Sequence, residues 1–370
     1  WALTDKLTLI AGLRYAESEK ELAATTTTFT DIPFAAQSAG LNQCFVNQPG
    51  LLPADQPACL TAFVPASAVS NSGDADFDHV SPKIGLTFQV NDDVMVYGSF
   101  TEGYRDGGIS GDVENFARFN EEILNSYEIG VKSELADGTV RLNASVFYYD
   151  YEDLQLELTD LTAAGTIVTN VLNAGNAELS GAEVELLWLA SNNFRLGLNV
   201  GVLDSEYDTV AVRAGLDTGF LKNGNELPQA ASLQVSLVPQ FNFQAFGGDI
   251  NWRTEINYSN EYFEDFENGA FAGGDAGSLL GVGIVNNGFA FDPSLVVSPN
   301  DLVDSEITES RTLVNSSLTY SKDNYAITLW IRNLLDEEYE AQRRYISGVV
   351  QAQARYGNPR TLGINATFRF

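Results

Sequence analysis

Side chains that could carry out catalysis or bind a metal ion are scarce in this sequence. His79 is the single histidine among 370 residues, so a catalytic triad built on imidazole, or a histidine-rich metal site, has almost nothing to build on. We expect His79 to be a solvated residue at the start of a strand. Residues 74–78 begin like a calcium-binding loop, but His79 and Gly85 stand where the required Gly and Glu should follow. The sequence therefore predicts a protein that is not an enzyme and has no metal site and no cofactor.

Cys44 and Cys59 are the two cysteines of the chain, and both lie in a segment rich in Pro, Ala and Gln. No pattern of metal ligands accompanies them. In an oxidising compartment they would close a loop of about 15 residues, a disulfide that stabilises the fold by about 3 kcal/mol in the chain-entropy model. We expect this disulfide, with two unrelated reduced thiols as the alternative.

The chain is strongly acidic. It has 50 Asp and Glu residues against 20 Lys and Arg, a formal net charge of −30, which argues against a nucleic-acid-binding surface. Segment 262–309 has nine acidic residues and neither Lys nor Arg. Such a segment would attract cations or repel anionic lipopolysaccharide, and simple solvation of a charged surface is the alternative.

The elements that must position any site follow a pattern of alternating residues, of which the segment around residue 144 is an example. Apolar and polar side chains alternate there: Val140, Leu142, Ala144, Val146 and Tyr148 against Arg141, Asn143 and Ser145. This alternation is typical of a strand with one apolar and one polar face. We predict about twelve such strands, which start near Leu3, Val80, Val94, Asn125, Thr139, Ala177, Phe194, Ala231, Gly248, Ser310, Asn324 and Tyr356. The sequence has no run of about 18 apolar residues, so a transmembrane helix is excluded, whereas a β-barrel is not.

The predicted connections between these strands alternate between short and long. The short ones have the residues of tight turns and lie at 91–93, 136–138, 191–193 and 322–324. The long ones run at about 21–79, 106–124, 205–230, 262–309 and 335–355. A compact soluble domain rarely holds several loops of that length, but an outer-membrane barrel has short periplasmic turns and long extracellular loops. The pattern favours a membrane barrel over a soluble β-sandwich.

Aromatic residues near the predicted strand ends agree with a membrane barrel, because they would form girdles at the lipid–water interface. They are Tyr148, Tyr149, Tyr151, Tyr258, Tyr262, Phe263, Tyr320 and Tyr325. The first strand follows a turn-like segment at 3–6, as though a hairpin partner preceded it. A barrel in lipid leaves no strand edge unpaired, so either the twelve strands close on themselves or earlier strands are missing.

Several ordered segments resemble the TonB-dependent outer-membrane receptors of Gram-negative bacteria. In chain order they are LTLIAGLRYAESEK, FDHVSPKIGLTF, VYGSFTEGYRDGG, LNSYEIGVKSEL, RLNASVFYYDYEDLQ, NAGNAELSGAEVEL, IRNLLDEEYE and YGNPRTLGINATFRF. The resemblance covers essentially the whole chain. It implies an all-β fold, a transmembrane antiparallel β-barrel, in which residues 1–370 are the C-terminal twelve strands of a barrel of twenty-two, with the plug domain and the first ten strands missing.

The same resemblance implies partners and an assembly signal. The final strand, with Gly363, Phe368 and the terminal Phe370, is similar to the signal that the barrel-assembly machinery reads. The expected partners are the TonB complex, acting through the missing N-terminal part, outer-membrane lipid and lipopolysaccharide, and a small-molecule ligand. A ferric siderophore is the expected ligand because it is the commonest cargo of the family, and cobalamin, haem and an oligosaccharide are the alternatives.

In this family the ligand sites lie where the extracellular loops and the upper barrel wall meet the plug. The candidates that the resemblance implies here are Tyr104, Arg105, Arg343, Arg344, Tyr345, Arg355 and Tyr356. Arg can contact carboxylate or catecholate oxygens in a bidentate way, and Tyr can stack on planar ligands. The alternative for each residue is a local pairing with carboxylates in the lumen or loops.

Two other functions remain open from the sequence. A passive pore predicts that the twelve strands form a closed barrel. An outer-membrane phospholipase needs a His–Ser pair on a rim that faces lipid, and His79 is the one histidine that could supply it.

Overall fold

The computed structural model of the protein describes residues 1–29, 65–112, 115–161, 167–210, 221–264, 282–285, 288–291, 307–346 and 351–370. These residues form the strands β1 (Leu7–Phe29), β2 (Pro65–Asn91), β3 (Val94–Arg105), β4 (Gly108–Asp112), β5 (Asn115–Phe119), β6 (Glu122–Leu135), β7 (Val140–Leu161), β8 (Ile167–Ser191), β9 (Phe194–Val210), β10 (Leu233–Ala245), β11 (Gly248–Ser259), β12 (Tyr262–Phe263), β13 (Val282–Val285), β14 (Gly288–Phe291), β15 (Ile307–Thr308), β16 (Arg311–Lys322), β17 (Tyr325–Arg332), β18 (Glu340–Ile346), β19 (Gln351–Tyr356) and β20 (Thr361–Phe368). Within these ranges, no helix is long and apolar enough to cross a membrane.

Twelve of the strands form one antiparallel sheet, in the order β1-β2-β3-β6-β7-β8-β9-β10-β11-β16-β17-β20. This confirms the predicted number of strands and the predicted all-β class. The remaining strands form four two-stranded sheets: β4 with β5, β12 with β15, β13 with β14, and β18 with β19. These small hairpins lie in the long connections, so the loops that the sequence predicted are partly strand.

The strands of the large sheet end on two sides that differ. The side where tight turns join the strands is called here the turn edge. An example is the turn at 136–138, where Ala136 and Asp137 have φ of 52° and 54° and Gly138 has φ of 78°. The opposite edge, called the loop edge, carries the long connections. The short turns were predicted, and so was the turn before β1, where Thr4 Oγ1 accepts hydrogen bonds from the backbone N–H groups of Lys6 (3.2 Å) and Leu7 (3.0 Å).

Several strands extend well past the length that a bilayer requires. Strands β2 and β8 have 27 and 25 residues, whereas a strand needs about ten to cross the hydrocarbon core. The predicted loop at 21–79 is therefore wrong at both ends, because β1 continues to Phe29 and β2 begins at Pro65. The extensions of β1 and β2 are rich in Thr, Ser and Asp and pair with each other residue by residue, with few buried apolar side chains among those described apart from Ala75.

The large sheet has an apolar outer face and a polar inner face. Ile129 and Ile364 leave 67% and 69% of their surface exposed on the outer face, as side chains that meet lipid would. Two chains of aromatic contacts run along this face, one toward the loop edge through Phe100, Tyr127 and Tyr148, and one beside the turn edge through Phe194, Phe241 and Trp252. Two girdles of this kind are typical of a barrel wall in a membrane.

The sheet is open. Among the described strands, β1 pairs only with β2 and β20 pairs only with β17, so each leaves one edge without a neighbour. A closed barrel of twelve strands, which the passive-pore alternative requires, is not what the described residues form. The main apolar core lies in the extensions of β8 and β9 beyond the sheet centre, where Leu172, Ala177 and Tyr207 are almost fully buried.

Candidate functional site

The inner face of the sheet is lined by charged and amide side chains that pair with one another. Arg253 forms an ion pair with Glu255 of the same strand. Arg195 Nε donates a hydrogen bond of 2.8 Å to Gln240 Oε1 across β9 and β10. Such a surface suits water or a polar occupant and not lipid, so the inner face is the wall of a lumen.

Aromatic side chains of the inner face lie flat on glycines of the next strand. The Tyr97 ring covers Gly130, and the Phe147 ring covers Gly181, with so little space that a Cβ atom at either glycine would overlap the ring. The Tyr97 hydroxyl also donates a hydrogen bond to Glu128. The rings therefore follow the wall and do not project into the lumen.

A groove of about 770 Å³ crosses the inner face from β7 to β16. Its polar lining includes Glu183, Glu185, Asn199, Gln234, Asn257 and Arg311. This volume lies within the usual range for small-molecule sites. The groove was not predicted from the sequence, although Gly201 on the polar face of β9 was a signal of open space, since no described atom outside its chain neighbours lies within 4 Å of a Cβ added there.

Tyr104 and Arg105, two of the predicted ligand-binding residues, point to different surroundings at the loop edge of β3. The Tyr104 ring stacks on the His79 ring, with centroids 4.5 Å apart and planes at 4°. Arg105 is exposed. The Tyr104 ring thus packs on His79 within the wall. Arg105 is the more accessible of the two for a ligand.

His79 is not the solvated residue that the sequence suggested. Its side chain is only 12% exposed, Nε2 lies 2.7 Å from Glu102 Oε1, and Nδ1 lies 3.4 Å from Glu121 Oε1. The phospholipase alternative requires a serine beside the ring, but both ring nitrogens face carboxylates. The sequence could not indicate this arrangement because the two glutamates come from opposite sides of a long connection.

A second charged contact lies beside this histidine. Lys20 Nζ is 3.6 Å from Asp106 Oδ2 and donates a hydrogen bond of 2.6 Å to the Gly107 carbonyl. The Tyr104 hydroxyl beside the Asp106 carboxylate lowers the pKa of Asp106, with smaller contributions from Ser18 and Lys20. The ionised form of Asp106 is therefore the one that the fold stabilises.

The other predicted ligand-binding residues lie on the β18–β19 hairpin. Arg343, Arg344 and Tyr345 belong to β18, where they are paired with residues 354, 353 and 352 of β19. Arg355 and Tyr356 end β19, and both are exposed. The hairpin thus brings these five residues into one element. No hydrogen bond, ion pair or ring contact of the described side chains joins Tyr104 or Arg105 to Arg355 or Tyr356, so the structure does not unite the two sets.

The base of this hairpin is held by a buried amide, that of Asn333. Its Nδ2 donates hydrogen bonds to the carbonyls of Glu337 (2.8 Å) and Asn358 (3.2 Å), and its Oδ1 accepts one from the Glu337 N–H (2.8 Å). Nearby, Arg360 donates to Asp336 Oδ2 at 3.2 Å. These contacts explain why Asn, Asp and Arg occur at these positions of IRNLLDEEYE and NPR.

Residues 74–78, which resembled the start of a calcium loop, lie in β2 as an extended strand. Their aspartates face glutamates of β1 in three directly opposed pairs: Glu17 with Asp78, Glu19 with Asp76, and Glu21 with Asp74. We call these six residues the acidic ladder. Arg118 forms an ion pair of 3.3 Å with Asp74. Over the described part of the chain, no group of three or more His, Cys, Asp or Glu side chains is arranged to hold a metal ion.

The predicted assembly residues lie on the last strand. Gly363 is covered by the indole of Trp330 on β17. The Phe368 ring lies 6.4 Å from the Tyr325 ring, and Phe370 is fully exposed. Cys44 and Cys59 lie outside the described residues, as does most of the acidic segment 262–309, so the predicted disulfide stays a prediction.

Comparisons with known proteins agree with this architecture. The family model described as "TonB dependent receptor-like, beta-barrel" matches residues 1–334. The pesticin receptor of Yersinia pestis is 25% identical over 308 residues, which are 81% of this chain and 37% of that protein.

Solved structures share the fold. The ferric yersiniabactin uptake receptor FyuA from Yersinia pestis superimposes with a TM-score of 0.66 at 18% identity, covering 100% of this chain and 44% of that one. The siderophore receptor PiuA from Acinetobacter baumannii gives a TM-score of 0.61 at 16% identity, covering 99% and 41%. The chain thus spans less than half the length of these relatives. Because the family model matches most of its residues, the chain belongs to the TonB-dependent receptor β-barrel family of the Gram-negative outer membrane.

Proposed function

We propose that this chain is the C-terminal part of the barrel of a receptor that takes up a ferric siderophore across the outer membrane with energy from TonB. In this proposal residues 1–370 supply twelve strands of a barrel of twenty-two. A plug domain and a segment that contacts TonB belong to the part of the protein that precedes them. The barrel-assembly machinery, lipid and lipopolysaccharide are the other proposed partners.

The observation that carries the proposal is the polar inner face of a sheet whose outer face is apolar. Among the described strands, the two outer strands of this sheet, β1 and β20, each lack a neighbour on one side. Further strands are therefore needed to close a lumen in lipid. The groove of about 770 Å³ on the inner face is large enough to contact a bound molecule or a lumen-filling domain.

The choice of a ferric siderophore is supported by the relatives. FyuA is described as a ferric yersiniabactin uptake receptor and PiuA as a siderophore receptor. Ferric siderophores are often anionic, and exposed arginines such as Arg105 and Arg355 can contact their oxygens. Cobalamin, haem and an oligosaccharide remain the alternative ligands for the same architecture.

Binding to the purified full-length receptor would test the ligand. Quenching of Trp fluorescence would be measured with ferric catecholate, hydroxamate and mixed siderophores, haem, cobalamin and maltooligosaccharides. We expect one siderophore class to bind and Arg355→Gln with Tyr356→Ala to weaken that binding about tenfold or more. Asp92→Asn, in a turn at the opposite edge, is the control. Binding of cobalamin, haem or sugar alone would overturn the choice of ligand.

A further inference from the structure

The β4–β5 hairpin is attached to strands on both sides of it. On one side, the side chains of Ile109 and Phe116 lie next to Gly73 of β2. On the other side, Ser110 Oγ accepts a hydrogen bond of 2.6 Å from the Val171 N–H of β8. Strands β2 and β8 are not neighbours in the large sheet. The hairpin therefore bridges part of the loop edge.

The two legs of this hairpin meet at His79. Glu102 lies in β3, close before that strand ends at Arg105, and Glu121 is the residue before β6 begins at Glu122. The imidazole lies between the two carboxylates, 2.7 Å from Glu102 and 3.4 Å from Glu121. One side chain of β2 thus contacts the end of β3 before the hairpin and the last residue of the connection after it.

We propose that His79 is a pH-sensitive latch that holds the base of the β4–β5 hairpin against β2. The imidazolium form attracts both carboxylates and can donate from both nitrogens. The neutral ring carries one N–H, so it can donate to one carboxylate at most and loses its charge attraction to the other. The hairpin base is then closed in mildly acidic medium and looser above neutral pH.

The other titratable groups around the latch come from four parts of the chain. They are Glu102, Tyr104 and Asp106 of β3 and the residues after it, Glu121 before β6, Lys20 of β1, and Asp78 of β2. Asp78 faces the opposite side of its strand from His79.

Asp106, which follows β3, titrates away from the range of histidine. The Tyr104 hydroxyl beside it lowers the pKa of that carboxyl below its ordinary value. Histidine changes charge between about pH 5 and pH 8. A transition in that window that disappears with His79 is therefore the signature of the latch.

Hydrogen exchange of the full-length receptor in lipid nanodiscs tests the latch without any ligand. Amide protection of peptides from 106–121 would be compared at about pH 5.5 and about pH 7.5, after correction for intrinsic exchange. Peptides from β10 and β11 are the internal reference. We expect wild-type protection of 106–121 to fall about tenfold on going to the higher pH, the size expected for losing a charge-assisted contact.

Two variants separate a latch from a fixed anchor. His79→Gln keeps a neutral donor and should show the low protection at both pH values, with no pH-dependent change. Lys20→Gln removes the neighbouring anchor and should lower protection at both pH values while leaving the fold-change between them intact. The latch is overturned if wild type and His79→Gln show the same pH dependence, or if wild-type protection does not change with pH. Unchanged hydrogen exchange in the reference peptides from β10 and β11 would show that each variant is folded.

Discussion

The indole of Trp330 lies across Gly363, the residue directly opposite it on the last strand. A Cβ atom at position 363 would overlap the ring, so only glycine allows this approach. We expect Gly363→Ala to lower the free energy of unfolding by about 1–3 kcal/mol, the usual effect of overpacking. Urea unfolding of the full-length receptor in lipid vesicles measures it.

Two comparisons distinguish packing from an assembly signal at Gly363. Gly98→Ala is the matched control, because its added Cβ would meet neighbours at an ordinary 3.8 Å. In the Trp330→Ala background, Gly363→Ala should have little further effect on stability. If Gly363→Ala reduces the amount of receptor assembled in the outer membrane but not its stability, Gly363 belongs to the assembly signal with Phe368 and Phe370, and the packing explanation is wrong.

The acidic ladder predicts a gain of stability from removing charge. Glu19 lies directly opposite Asp76, and like charges in such pairs destabilise a sheet. We expect Glu19→Gln to raise the melting temperature by about 1–3 °C at low salt. The gain should vanish near 1 M salt, where the Debye length is about 3 Å.

Glu21→Gln is the matched control for the ladder. Its partner Asp74 already has an ion pair with Arg118, so we expect a smaller gain than for Glu19→Gln. Equal melting temperatures for wild type and Glu19→Gln at low salt would contradict the prediction that the ladder is destabilising.

The ionised carboxylate of Asp106 leads us to expect a second change, a loss of protection from hydrogen exchange at the hairpin base in acid. The Tyr104 hydroxyl holds the pKa of Asp106 below its ordinary value. The ionised carboxylate therefore stabilises the hairpin base at every pH above the unfolded value of about 3.9, and this stabilisation is lost as the pH falls through the lower folded value. We expect hydrogen exchange at 106–107 to rise below about pH 4 in the wild type.

Asp106→Asn should exchange faster at neutral pH and show no acid transition at 106–107. Asp92→Asn, at the turn edge, should behave like the wild type. Protection in the wild type that persists unchanged down to about pH 2 would contradict this role of Asp106.

Asn333 predicts how firmly the β18–β19 hairpin is held. The residue is 5% exposed, has φ of 49°, and its amide makes three hydrogen bonds to the backbone around it. Asn333→Ala leaves buried backbone groups without partners, at about 1–3 kcal/mol each. We expect faster hydrogen exchange across 334–340 and weaker siderophore binding.

Asn333→Gly removes the same amide but keeps a residue that adopts positive φ easily. It should therefore be less harmful than Asn333→Ala. An alanine variant with wild-type exchange across 334–340 would contradict the assigned role.

Much of the large sheet could be predicted from alternation, because the membrane requires an apolar residue at every second position, as at Ile84, Leu86 and Phe88. The extensions of β1 and β2 could not be predicted in this way. The polar face of residues 74–78 can be explained by exposure to solvent alone. Their pairing with β1 depends on the register of two strands that a long connection separates in the sequence.

The candidate site was predictable only in part. Arg355 and Tyr356 lie exposed on a hairpin at the loop edge, where receptor loops were expected. The surroundings of His79 were not predictable, since Glu102 and Glu121 lie 23 and 42 residues further along the chain and only the fold brings them to one ring. The place of Gly363 beneath Trp330 likewise depends on a pairing between strands separated by the last loop.

The most direct test of the central claim is accumulation of radiolabelled iron by iron-starved cells that produce the full-length receptor. Each siderophore class would be supplied in cells with and without TonB, and with Arg355→Gln and Tyr356→Ala combined. The account predicts uptake of one ferric siderophore that requires both the receptor and TonB and that falls about tenfold or more in the variant. Uptake that persists without TonB, or no iron uptake from any siderophore, would contradict it.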